Sequence, residues 1–240
     1  MSDPRGQELA RSLAEVRGRI QRACAAAGRD PAEVTLVVVT KTFPADDVAR
    51  LAALGVVDVG ENRDQEAAAK ATALADLGLR WHFVGQLQRN KARSVAGYAA
   101  VVQSLDRSGL AQALNRGAEA AGRRVEVLVQ VDLDDSAAGA GGKAGARGGA
   151  RSDAVAALAD EVASTSALVL RGVMAVAPRD LDPARAFARL AEVAAMLRAD
   201  HPQATWVSAG MSGDLEPAVR AGATHLRVGT AILGHRPSLQ

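Results

Sequence analysis

Three places in this chain combine residue type and setting in a way that could do chemistry: one lysine and two glycine-rich loops far from it in sequence. Lys41 closely follows the apolar run Leu36-Val37-Val38-Val39. An amine beside such walls is partly desolvated, which favours the neutral nucleophile that condenses with an aldehyde to an imine. On position alone, a strand-end lysine snorkelling to solvent is an equal reading. The segments Ser208-Ala209-Gly210-Met211-Ser212-Gly213-Asp214 and Arg227-Val228-Gly229-Thr230 carry glycines that let backbone amides approach an anion, and Ser212 is placed to cap a helix. Amides and hydroxyls at a helix start bind phosphate, although each loop alone reads as a glycine turn with an N-cap. A phosphate grip and an imine-forming lysine in one mouth would fit a phosphorylated aldehyde.

Positioning those groups together requires a particular frame. Short Val/Leu/Ile runs, the mark of strands buried on both faces, alternate with Ala/Leu/Arg stretches of helical period. A first helix, Glu8 to Ala27, precedes the alternation. The strands are expected at Thr35–Lys41, Val56–Glu61, Trp81–Gln86, Ala99–Leu105, Val125–Asp132, Leu168–Val176, Thr205–Gly210 and Thr224–Gly229. Helices are expected near Ala45–Leu54, Asp64–Leu77, Asn90–Ala96, Arg107–Ala121, Asp153–Ser164, Pro183–Ala199 and Asp214–Ala221. Eight such units in 240 residues predict a single (β/α)8 TIM barrel after an N-terminal helix, one domain over residues 1–240. A doubly wound sheet competes, but no G-x-G-x-x-G follows the first strand. In a barrel, chemistry sits where strands end, and phosphate sites recur after the seventh and eighth strands. Asp134 to Arg151 breaks the pattern; its Gly/Ala density predicts a surface loop, and GGKAGA lacks the Ser or Thr that a Walker A lysine requires next.

Composition excludes several classes. Hydrophobic residues are 48%, charged residues 23% and aromatics 2%, with a net charge of +2, so the core must be Ala, Val and Leu. The isoelectric point near 9.0 reflects a slight Arg excess without a basic cluster, which argues against nucleic acid. The lone Cys24 rules out an internal disulfide. No histidine has metal-ligand spacing, so His82, His201, His225 and His235 read as structural. With no apolar run long enough for a membrane span or signal peptide, the cytoplasm is the expected location.

The strings LVVVTKTFP, GENRDQE, WHFVGQLQRNK, GVMAVAP, SAGMSGDLEPAV and THLRVGTAILGHR, in this order from Val34 to Arg236, resemble the YggS/PROSC family of pyridoxal-phosphate homeostasis proteins. The resemblance implies the N-terminal barrel of alanine racemases (fold type III) and pyridoxal 5′-phosphate (PLP) held as an internal aldimine on Lys41. It further implies Asn62 beside the pyridine ring, Ser208, Gly210, Ser212, Gly229 and Thr230 at the phosphate, and Arg227 facing the pyridine nitrogen. A guanidinium there donates and leaves that nitrogen unprotonated, a weaker electron sink than a carboxylate-paired ring. The chain departs from the family at Gln86, where His is common, at Ala209 in place of Met, and in its long Gly-rich loop.

Three uses of such a site compete. The first is a PLP carrier in vitamin B6 homeostasis without robust catalysis, with apo PLP-dependent enzymes as partners. The second is an amino-acid racemase, which needs an acid/base on each face of the carbanion. Alanine racemases take the second base, a tyrosine, from an additional C-terminal β-domain of the partner subunit. Here the sequence ends about ten residues past the last strand and its single tyrosine, Tyr98, is central, so the carrier is preferred and a monomer is expected. The third is a Schiff-base aldolase on a phosphosugar, disfavoured by a lysine on the first strand.

Overall fold

Asp3 caps the first helix by accepting the Gly6 N–H, and α1 runs over Pro4–Ala26, burying Leu9, Leu13, Val16, Ile20 and Cys24 along one stripe. The computed structural model describes residues 3–134 and 148–234. Within them eight parallel strands form a closed barrel in sequential order: β1 (Thr35–Val39), β2 (Asp58–Glu61), β3 (Arg80–Phe83), β4 (Val101–Leu105), β5 (Val125–Gln130), β6 (Leu168–Met174), β7 (Trp206–Ser208) and β8 (His225–Val228). Closure comes from β1 pairing with β8, Val37 opposite Arg227 and Val38 opposite Val228. The helices α2 (Ala45–Ala53), α3 (Asp64–Ala73), α4 (Ala92–Tyr98), α5 (Ser108–Ala120), α6 (Val155–Ala163), α7 (Pro183–Asp200), α8 (Leu215–Arg220) and α9 (Thr230–Leu233) complete the described elements, with short 3-10 turns between some of them. The expected barrel is therefore present. Six strands end earlier than expected, because the residues there leave the ladder to form the mouth; β2 and β4 end where expected and start two residues later. The short α9 went unpredicted, its four residues being too few to show a period.

The core lies between strands and helices, where buried Ala, Val and Leu pack around Phe83 and Phe187. Inside the barrel a smaller apolar layer, Val101, Leu128 and Met174, sits beside an unusual polar column described below. Helix α1 packs against α2, α8 and α9 and also grips them through charge. Arg5 donates to Asp47 and to the Leu233 carbonyl, Arg19 to Glu216 and to the Ser212 carbonyl, and Arg29 to the Val219 and Ala223 carbonyls. The N-terminal helix thus braces the loops after β7 and β8. Leu13, 2% exposed, anchors that brace, and Leu13→Ala should cost about 3 kcal/mol of unfolding free energy in urea denaturation.

Candidate functional site

A cavity of about 780 Å³ opens at the C-terminal mouth of the barrel, lined by Lys41, Asn62, Ser212, Arg227, Gly229 and Thr230 among others. Six of the eight residues expected at the site therefore meet in one space. The chain has four lysines, Lys41, Lys70, Lys91 and Lys143. Lys70 is bound by Glu61 and Glu66, and Lys91 faces Asp64; Lys143 lies outside the described residues. Among the described residues Lys41 alone presents an uncommitted amine, and it does so at the cavity wall.

Two of the residues expected at the phosphate, Ser208 and Gly210, do not line the cavity. Ser208 is fully buried and does not line the cavity. Its hydroxyl accepts from Arg227 Nη1 at 2.6 Å and donates to Gln103 Oε1 at 2.7 Å. Gly210 is also withdrawn: a Cβ there would lie 2.6 Å from Ala218 Cβ, so its φ of +89° serves the packing of α8 under the loop. Its carbonyl accepts the Arg227 backbone N–H. Ser212 does not cap α8 either. Its hydroxyl accepts the Ala231 N–H at 3.2 Å, tying the loop after β7 to the first turn of α9. Asp214 instead takes the Met211 N–H. Gly229 and Thr230 keep their expected place. A Cβ on Gly229 would stand 2.9 Å from the Val39 carbonyl, so only glycine lets this loop lie against β1.

Arg227 is the residue whose surroundings say most. It is 5% exposed, and burial pulls its pKa down to about 10, so it remains charged at neutral pH. Besides Ser208 it donates to the Ala175 carbonyl at 2.8 Å, and both partners are neutral. A directed relay leads away from it. Ser208 donates to Gln103, and Gln103 Nε2 faces His82 Nδ1 at 2.9 Å. His82 Nε2 lies 2.8 Å from Asp58 Oδ1. Burial holds the His82 pKa below its ordinary value. For Asp58 burial is the largest single effect and raises the pKa, but the His82 hydrogen bond and the electrostatic pull of His82, Arg80 and His225 together bring it below the ordinary value. A neutral imidazole beside a carboxylate must carry its proton on Nε2, so Nδ1 accepts from Gln103. Every bond then points from Arg227 to Asp58. At the foot of the barrel, Arg80 and Arg171 sit 5.1 and 5.4 Å over the Trp206 ring, which packs 4.4 Å from His225.

His82 was read from sequence as structural, but Gln103 and the link from Ser208 through it to His82 were not; the inward position of Gln103 in an apolar strand was the available signal. Thr42, Glu66 and Lys70 were missed as well. Gln86 lies in an adjoining recess of about 490 Å³ shared with Asn62, Arg63 and Lys91. The Gly-rich loop falls mostly outside the described residues. No group of three His, Cys, Asp or Glu among the described residues could hold a metal ion, and no helix there is long and apolar enough to cross a membrane.

Comparison with known proteins fits this geometry. The family model for the alanine racemase N-terminal domain matches residues 12–237. A Mycobacterium tuberculosis pyridoxal phosphate homeostasis protein is 44% identical, with 97% of this chain and 94% of that protein covered. The chain belongs to the pyridoxal phosphate homeostasis family. The structure of PipY of Synechococcus elongatus, a COG0325 family member, with PLP bound superposes at TM-score 0.80 and 33% identity, covering 94% of this chain and all of PipY. Alanine racemase from Corynebacterium glutamicum shares the fold at TM-score 0.65 and 15% identity, covering 98% of this chain and 63% of that enzyme.

Two predictions follow from the relay. Gln103→Leu leaves the Ser208 O–H without an acceptor and His82 Nδ1 without a donor, and should cost about 3 kcal/mol in urea unfolding. The second concerns pH. Burial lowers the pKa of His82, and that of His225 to about 3, below the unfolded value of about 6.5. The unfolded chain therefore protonates first. The stability these imidazoles supply is complete above about pH 6.5 and is lost as pH falls, at up to ~1.4 kcal/mol per unit for each. Urea titrations at pH 7 and pH 5 should show this loss, and His225→Phe should flatten it.

Proposed function

We propose that this chain holds PLP at the barrel mouth for vitamin B6 homeostasis, with Lys41 bonding the aldehyde carbon. The carrying observation is the uncommitted Lys41 amine, in the same cavity as a buried guanidinium and two hydroxyl-bearing loops. The residues present fit the cofactor in three respects. Asn62 Oδ1 is buried without a hydrogen-bond partner and can accept from a ring substituent. Arg227 lacks a carboxylate partner and retains N–H groups for a ring nitrogen. Ser212, Gly229 and Thr230 at the paired loops supply hydroxyl and amide groups for a phosphate.

When bound, the cofactor supplies an electron sink for carbanions. Arg227 limits that use, because a guanidinium donates to the ring nitrogen and does not protonate it. A second acid/base is also wanting in the described cavity. Tyr98, the one tyrosine, lies at the end of α4 in a separate crevice with Leu74, Trp81 and Arg123. Both features support holding over turnover, in keeping with relatives that are named for homeostasis rather than for a reaction. Apo PLP-dependent enzymes as recipients, a monomeric state and a cytoplasmic location belong to the same reading.

Purified protein incubated with PLP should take up one equivalent, and borohydride should fix it on the Lys41 peptide in mass spectrometry. Lys41→Ala should abolish trapping, and trapping on Lys91 in the wild type would overturn the assignment. Pyridoxal lacking the phosphate should bind roughly a hundredfold more weakly, for about two charge-assisted bonds lost at ~1.5 kcal/mol each.

A further inference from the structure

Thr42, the residue after Lys41, has φ of +69° and is the only non-glycine residue with positive φ among those described. It is the third residue of a turn closed by the Thr40 carbonyl, which accepts the Phe43 N–H at 3.1 Å. Positive φ at that position is the type II arrangement, which favours Gly or Asn. A β-branched residue there is a conformational outlier that its surroundings must hold in place.

What holds it is a buried ionic cluster on α3 and β2. Lys70 Nζ donates to Glu61 Oε1 and Glu66 Oε1, both at 2.7 Å, and to the Thr40 carbonyl at 3.0 Å, using all three of its protons. Glu66 Oε1 also accepts the Thr42 N–H at 2.5 Å, and Thr40 Oγ1 donates to Glu61 Oε1 at 2.7 Å. Lys70 and Glu61 are 7% and 1% exposed in their side chains. The Thr40 carbonyl belongs to the peptide before Lys41, and the Thr42 N–H to the peptide after it. One cluster therefore grips both peptide planes that flank the Lys41 α-carbon.

We propose that Glu66 and Lys70 are positioning residues that set the backbone of Lys41 and so aim its amine into the cavity. They touch no ligand and act through the strained turn. The inference rests on Lys41 as the PLP anchor, but the turn can be observed without ligand. In the apo protein the Thr42 amide, bonded to a carboxylate, should exchange slowly with solvent by NMR, and Glu66→Ala should accelerate it. Glu66→Ala should also weaken PLP uptake, followed by absorbance, roughly tenfold, the scale of one strained residue released. Glu66→Gln, which keeps an acceptor oxygen, should restore most of the affinity.

Thr42→Gly separates positioning from general support, since glycine adopts this backbone without help. In the Thr42→Gly background Glu66→Ala should weaken uptake less than about threefold. An equal loss in both backgrounds, or Thr42 exchange unchanged by Glu66→Ala, would overturn the proposal. A wild type that fails to take up PLP would overturn the function of Lys41 instead, and the Thr42 exchange rates would still decide whether Glu66 sets the turn.

Discussion

A threonine in left-handed backbone persists only where its neighbours leave it no alternative, and here the neighbours are two buried charges, Glu61 and Lys70, and a third, Glu66, partly open to water, between β2, α3 and the end of β1. Glu61, Lys70 and Glu66 could not be buried singly; together, with every ammonium proton engaged, they form a rigid block. Burial still raises the Glu61 carboxyl pKa against the pull of Lys70 and Thr40, so the block is held by its geometry as much as by its charge. The Lys41 turn is fastened to this block. Asn62 follows Glu61 directly and so inherits its position from the same place.

The other half of the mouth depends on a different solution to the same problem. Arg227 is buried without a carboxylate in contact, yet its charge is answered at a distance by Asp58 through Ser208, Gln103 and His82. The anion lies at the N-terminal end of β2, where it cannot compete with a ligand for the guanidinium. A carboxylate placed directly against Arg227 would have neutralised it and closed the space where a ring nitrogen can accept. Stability and availability are thus reconciled by distance.

The barrel was legible because period and punctuation agree along most of the chain: strands such as Val125–Gln130 show a Val/Leu run interrupted only by Glu126 and ended by Gln130, and most helices between them are long enough to show their stripe. The lysine and the two loops were legible because strand ends are where a barrel exposes polar groups. Ser208 misled for a physical reason. In a strand only three residues long, Trp206–Ser208, inward and mouthward positions differ by a single residue, and sequence does not mark where the ladder stops. Lys70 was invisible for the opposite reason. In the alanine-rich α3 a Glu66–Lys70 pair four residues apart reads equally as a solvent-facing pair, and only β2 supplies the second carboxylate, Glu61, that marks Lys70 as buried. Thr42 could not be read at all, because its backbone angle is imposed by Glu66 from another element.

The relay has one further property that belongs to the set and to none of its members. Because all four bonds run in the same sense, their dipoles add. Reversing any one of them would set two donors or two acceptors face to face. The lumen of this barrel therefore contains a fixed, side-chain-built counterpart of a helix dipole, its negative end turned to the Arg227 guanidinium and its positive end to Asp58. Such a field needs no reorientation when a guest arrives: it is already aligned, and it lies across strands that the fold itself keeps from rotating.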